Sequence, residues 1–251
     1  NGNSIPKAYS LQRVDNSQHL GIVKEGYRPI QIEEMLDVIN DASSVIGDIE
    51  HTGYAESKAG RKMVVRSRLL HDIDMDGDVI QPHFYTVIDH TGMGSNKTLP
   101  STIRVSCDNA MHIVSADESL GKLDGVRHAD TFNEKIQAMV NQIKCNVSNT
   151  IRFAGDARQL RSQKFDRNQM TKLVQTLIPV EEEESVKRQT KREKIVDLFS
   201  NGRGNSGESK WDALNAVTEF ETHSGKQTTD KFIRSFSKNT LSARTHNLLV
   251  A

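Results

Sequence analysis

Ser209 and Asp212 stand three residues apart around Trp211, and Leu214, Val217 and Phe220 follow at helical period. That order predicts a helix whose first turn is closed by a capping box, with Gly225 as its stop. The stripe holds the chain's only tryptophan, so the helix is expected to be core. Its polar members Asn215, Thr218 and His223 are read as caps or braces of the packing.

Two more helices follow from pattern. One runs from Ile32 to about Ile46. The other starts at a capping box formed by Thr131 and Glu134 and buries Phe132, Ile136, Met139, Val140, Ile143 and Val147. Between them lie extended segments near Asp48–Ala55, Arg61–Leu70 and Pro82–His90, and a short fourth strand, Thr102–Cys107, that leads into a helical stretch. Alternation along Arg61–Leu70 places Lys62, Val64, Arg66 and Arg68 on one face and Met63, Val65, Ser67 and Leu69 on the other, so one face is basic. After Pro179, the acids Glu181 to Glu184 precede Lys187, Arg188, Lys191 and Arg192, the charge order of an exposed helix supported by its macrodipole and by side-chain pairs four apart.

The fold class that results is α+β: a small antiparallel sheet with a β-β-β-α-like core, long flanking helices and a helical C-terminal part. With 251 residues, the expected organisation is an α+β core over 1–150 and a basic, charged helical segment over 151–200. A flexible Gly/Asn/Ser linker over 201–208 and a C-terminal helical segment over 209–251, packed on the core, complete it.

Three stretches carry a family resemblance: Leu20–Gln31, Thr102–Met111 with Arg127-His128 beyond it, and Gly204–His223. Their order and spacing resemble those of an uncharacterised family of phage- and plasmid-borne proteins known only as a domain of unknown function, over most of the chain. The family's usual form has a second asparagine where Asp108 stands, and more often leucine in place of Met111. The resemblance therefore implies a strand-to-helix passage there and no ligand role. It implies a mobile-element setting and no particular activity.

Several chemistries are excluded or demoted. There is no G-x-x-x-x-G-K-[ST], so no P-loop motor is expected, and there is neither G-x-S-x-G nor H-E-x-x-H. Asp72, Asp74, Asp76 and Gly77 imitate the start of a calcium loop, but its twelfth position is His83 and not glutamate; an Asp-Gly hairpin turn is the better reading, with a loose divalent-ion site as the alternative. Asp89-His90 before Thr91-Gly92 reads as a strand-end turn, and His83 and His90, seven apart, fall on opposite faces. Cys107 and Cys145 lack zinc spacing and are read as buried thiols. No catalytic residue, metal ligand or cofactor is called for. No apolar run approaches the ~20 residues of a membrane span and no signal-peptide pattern is present, so a cytoplasmic protein is expected. Because the chain opens on Asn1, further residues are expected upstream.

Net charge is zero, yet the charge is unevenly distributed. Residues 1–100 carry 10 basic and 14 acidic side chains, a difference of −4, whereas residues 151–210 carry 13 and 9, a difference of +4. Within the basic part Arg152, Arg158, Arg161, Lys164, Arg167 and Lys172 meet only Asp156 and Asp166, with Phe153, Leu160 and Phe165 interleaved. The pattern suits a nucleic-acid surface; a solvated helical face is the alternative. Basic strand, helices and mobile-element setting together look like phage single-strand annealing proteins of the recombination-mediator type, a resemblance of topology and context alone. It implies an ATP-independent, non-enzymatic protein that binds single-stranded nucleic acid, DNA in preference to RNA, and anneals it as a homo-oligomer. Lys62, Arg66, Arg68, Arg104, Arg158, Arg161 and Lys164 are the candidate phosphate contacts. Two other classes stand beside it: an interaction protein that binds a host factor, and a metal-dependent nuclease using Asp72, Asp74 and Asp76.

Overall fold

The computed structural model describes residues 7–94, 96–106, 109–112, 132–225, 228–235 and 240–251. Its centre is an antiparallel sheet in the order β3-β4-β6-β7-β8, built from β3 (Ile49–Glu56), β4 (Lys62–Leu69), β6 (Asp78–Asp89), β7 (Lys97–Arg104) and β8 (Asn109–His112). A short β5 (Ile73–Met75) pairs with the start of β6, and β1 (Ala8–Gln12) with β2 (His19–Lys24) forms a separate hairpin. The α+β class read from the pattern is the one observed. Pro82 falls in the gap between the β5 ladder, which ends at Ile80, and the β4 ladder, which begins at His83. A missing N–H is cheapest where a central strand changes neighbours.

The segment after Thr102 departs from expectation. Instead of passing into a helix, the chain turns back so that Ser101 to Arg104 pair with His112 to Asn109. The helix propensity of the Ala-Met pair yields here to a ladder on an otherwise open strand. Cys107 and Asp108 lie outside the described residues.

Helix α1 (Ile32–Ile46) has the expected bounds, and its start is closed by Glu34, whose carboxylate accepts from the Gln31 N–H at 2.9 Å. It buries Met35, Val38 and Ile39 on Leu69, Phe84 and Ile88 of the sheet, together with Val140 and Ile143 of α2 (Phe132–Ser162). At 31 residues, α2 is roughly 46 Å long and serves two cores. Its first part joins the α1 core. Farther on, Phe153, Ala154, Ala157 and Leu160 join Met75 and Ile80 of the sheet in a second core. The border expected between 150 and 151 therefore falls inside one helix. Thr131, the expected cap, and the side chains of Phe132, Ile136 and Met139 lie outside the described residues.

The second core is completed by α3 (Arg167–Leu177), α4 (Val186–Asn201), α5 (Lys210–His223) and α7 (Leu241–Val250), which contribute Met170, Val174, Ile195, Phe199, Trp211, Leu214, Val217 and Leu249; α6 (Thr229–Arg234) lies apart from it. The capping box of α5 forms as expected, and its inner polar residues brace the helix: Asn215 Nδ2 donates to the Trp211 carbonyl and Thr218 Oγ1 to that of Leu214, both at 2.9 Å. The acids Glu181–Glu184 precede α4, whose N-cap is Ser185, and they reach into it: Glu181 pairs with Arg188 and Glu184 with Arg192. Among the described residues no helix is long and apolar enough to cross a membrane.

Candidate nucleic-acid interface

Six of the seven candidate cations fall into two groups, and Arg104 stands apart from both. Lys62, Arg66 and Arg68 share one face of β4, as alternation required, while Met63 and Leu69 of the opposite face meet the α1 core. The basic face is half-buried rather than open. Val64 packs there with Tyr85, Val87 and Leu99, and Phe232 of α6 lies on this patch with its ring 4.6 Å from that of Tyr85. Each cation also has an internal partner. Lys62 Nζ is 3.8 Å from Asp89; Arg66 donates from Nε to Thr52 Oγ1 at 2.9 Å and from Nη2 to the Thr52 carbonyl at 3.1 Å; Arg68 Nη2 donates to Asp72 at 2.8 Å. Burial lowers the Lys97 ammonium pKa on this face, and Lys62 adds to the effect against the opposing pull of Asp89. A strand held between two others has its side chains crowded from both flanks, which alternation alone does not convey. Reversing Arg66 and Arg68 to glutamate is therefore expected to cost stability, about 1–3 kcal/mol, because it discards these bonds and sets a carboxylate beside Asp72. Urea unfolding of the double variant measures it.

Arg104 is not a surface cation. It is 2% exposed, and every guanidinium N–H has an acceptor. Nε donates to both Asp78 oxygens at 2.9 and 2.8 Å, and Nη2 lies 2.8 Å from Asp78 Oδ2 and donates to the Gly204 carbonyl at 2.6 Å. Nη1 donates to Asn205 Oδ1 at 2.9 Å and to the Arg203 carbonyl at 3.3 Å. Asp78 accepts in addition from Trp211 Nε1 at 2.7 Å, and the guanidinium lies 5.9 Å from the indole centroid. Expected to contact phosphate, this arginine instead neutralises a buried carboxylate, because an ion taken out of water needs a partner and filled hydrogen bonds. The same bonds fasten residues 203–205, part of the stretch expected as a flexible linker, to the end of β7. Gly204 has φ +72, and a Cβ there would come within 2.7 Å of Ser106 Oγ. One signal in the sequence pointed this way: a buried tryptophan needs an acceptor for its N–H.

Arg158, Arg161 and Lys164 come together at the end of α2. Arg158, exposed, donates to the Asp74 carbonyl at 3.1 Å, and Arg161 to those of Met75 at 2.7 Å and Asp76 at 3.3 Å, with Asp78 3.7 Å away. They grip the β5–β6 turn from one side. Beyond them opens a cleft of about 960 Å³ between the end of α2, the start of α3 and residues 204–212, lined among others by Arg161, Lys164, Phe165, Arg167, Glu208 and Trp211. Lys164 and Arg167 are exposed and make no ion pair with any described residue. Arg167 belongs to the basic tract in sequence but not to the candidate contacts, and the sequence leads to no site role for Asp78 or Asn205.

The acidic run is a turn. Asp76 and Gly77 have φ 58 and 88, the two left-handed residues of a tight hairpin, and Asp74 Oδ1 accepts from the Gly77 N–H at 2.7 Å. Asp72 is engaged by Arg68 and Gln81. No three His, Cys, Asp or Glu among the described residues are placed to hold a metal ion. Millimolar calcium or magnesium is expected to leave the melting temperature unchanged in a thermal scan, since an ion that bound the native state would raise it. At the other end of β6, Asp89 accepts from the Thr91 N–H before Gly92 at φ +74, the expected strand-end turn. Cys145 is half-buried and free.

A family model described as a domain of unknown function, DUF932, matches residues 19–248. No curated protein and no solved structure matches the chain.

Proposed function

The chain belongs to the DUF932 family, and from its own geometry we propose that it is an ATP-independent single-stranded DNA-binding and annealing protein, acting as a homo-oligomer in the recombination or replication of a mobile element. The observation that carries the reading is the row Arg158, Arg161, Lys164 and Arg167, spaced by threes along the end of α2 and into α3 beside an open cleft. Cations that repeat along one stretch of chain match a polyanion whose phosphates repeat, and they hold the backbone while leaving base edges free for a second strand. Arg104 is excluded from the contact set by its burial, and the β4 cations contribute only as far as their internal partners release them.

Four phosphate contacts on a single strand give a log–log salt slope of about −2.8, so affinity falls roughly 50-fold between 50 and 200 mM salt. The seven contacts that the sequence alone suggests would make the fall ~10³-fold. Anisotropy titration of a labelled oligonucleotide across that range measures the slope, and an annealing assay with complementary strands and no nucleotide measures the activity. Absence of binding at the lower salt removes this reading and leaves that of a protein-binding factor.

A further inference from the structure

We propose that the cleft beside Lys164 seats one phosphorylated nucleotide, its base against the ring of Phe165 and its phosphate between Lys164 and Arg167. For a strand as ligand, this rests on the nucleic-acid reading above. Phe165 is half-buried: one side of it packs edge-on against Phe199, with centroids 6.1 Å apart, and it also lines the cleft. Its backbone is held from both flanks, because the Phe165 N–H donates to the Glu208 carbonyl at 2.8 Å and the Lys210 N–H to that of Gln163 at 3.0 Å. An aromatic ring that lines a cleft together with two exposed cations, on a fixed backbone, is an arrangement that stacks a base and holds the adjoining phosphate with little ordering left to do.

The floor is equally fixed. Asp78, Arg104 and Trp211 satisfy one another, so a ligand meets a rigid surface with no unpaired buried charge beneath it. The carboxylates of Asp166 and Asp212 also line the cleft, but each is turned into a helix start. Asp166 accepts from the Gln169 N–H at 2.8 Å, and Asp212 Oδ2 from the Ser209 N–H at 3.1 Å and from Ser206 Oγ at 2.9 Å. Backbone donors and the positive helix ends offset these charges. Lys164 and Arg167 keep theirs. Ser106, Ser162 and Glu208 on the walls supply hydroxyls and a carboxylate suited to a base edge. At about 960 Å³, the cleft admits a nucleotide without rearrangement.

Trp211, the only tryptophan, lines the cleft and reports on it. Thymidine 5′-monophosphate, thymidine, and oligothymidylate with and without a 5′-phosphate are titrated into the full chain, with calorimetry for affinity and Trp211 emission for location. The mononucleotide is expected to bind and change the emission, and the uncharged nucleoside to bind at least tenfold more weakly. Lys164→Glu with Arg167→Glu is expected to abolish both signals. Phe165→Leu, which keeps an apolar contact with Phe199, is expected to weaken binding on the order of tenfold with little change in melting temperature. The oligonucleotides separate the sources: dependence on the 5′-phosphate marks a strand end, indifference to it an internal nucleotide, and a mononucleotide as tight as either marks a free nucleotide. The inference is overturned if oligothymidylate binds while the emission and the Lys164/Arg167 variant leave its affinity unmoved, which spares the strand-binding reading. It is overturned as well if neither mononucleotide nor oligonucleotide binds. Binding of the mononucleotide alone keeps the cleft and removes the strand.

Discussion

Asp78→Ala is expected to lower the unfolding free energy by about 3–5 kcal/mol, a large fraction of the roughly 5–15 kcal/mol that keeps an ordinary domain folded. The carboxylate is nearly excluded from water, and three groups depend on it: Arg104 Nε, Arg104 Nη2 and Trp211 Nε1. Alanine leaves a buried guanidinium facing only carbonyl and amide oxygens, and an indole N–H with nothing to donate to; each is a desolvated group with no return. Asp78→Asn keeps an acceptor for the indole and loses the charge, so it is expected to fall between alanine and wild type. Arg104→Met on the Asp78→Ala background is expected to recover part of the loss, because removing both ions also removes the uncompensated one. Urea unfolding of these three variants and of Arg104→Met alone measures the cycle. A loss below about 1 kcal/mol for the alanine would mean that water from the cleft reaches the pair and that the floor is softer than its bonds imply.

The same three residues mark where sequence reading stops. What it found was local: the box of Ser209 and Asp212, the bounds of α1, the Asp-Gly turn, and the alternation of β4, each decided by chemistry within a few residues. Arg104 and Asp78 are 26 apart in the chain, and Asp78 and Trp211 are 133 apart. No periodicity joins them. Arg104 therefore reads from sequence as one more surface cation, and residues 201–208 as slack chain, because glycine, asparagine and serine are as useful for wrapping a buried guanidinium with carbonyls as for linking. β8 was missed for a related reason. A four-residue edge strand is fixed by the neighbour that receives it rather than by its own propensity. Of the candidate interface, the tract at the end of α2 was legible, since one stretch of chain carries it; its cleft was not, since residues 77–78, 104–106, 161–169 and 204–212 build it together.

Arg158→Glu with Lys164→Glu is expected to weaken single-strand affinity at least ~100-fold at low salt and to flatten the salt slope from about −2.8 to about −1.4, one contact's share for each cation removed. Both side chains are exposed, and Arg158 makes a single hydrogen bond to a turn carbonyl, so the melting temperature should shift little. The β4 pair behaves in the opposite way, since reversing Arg66 and Arg68 strikes half-buried side chains bonded to Thr52 and Asp72. Loss of binding there is expected to track loss of folded protein and to leave the slope of the surviving fraction at its wild-type value. A phosphate contact changes the slope; a structural cation changes the amount of protein that can bind. Anisotropy at four salt concentrations, with the folded fraction fixed by circular dichroism, separates the two. If the α2 pair leaves the slope intact while the β4 pair flattens it, the strand runs across the sheet, and α6 with Phe232 must move away from Tyr85 to admit it.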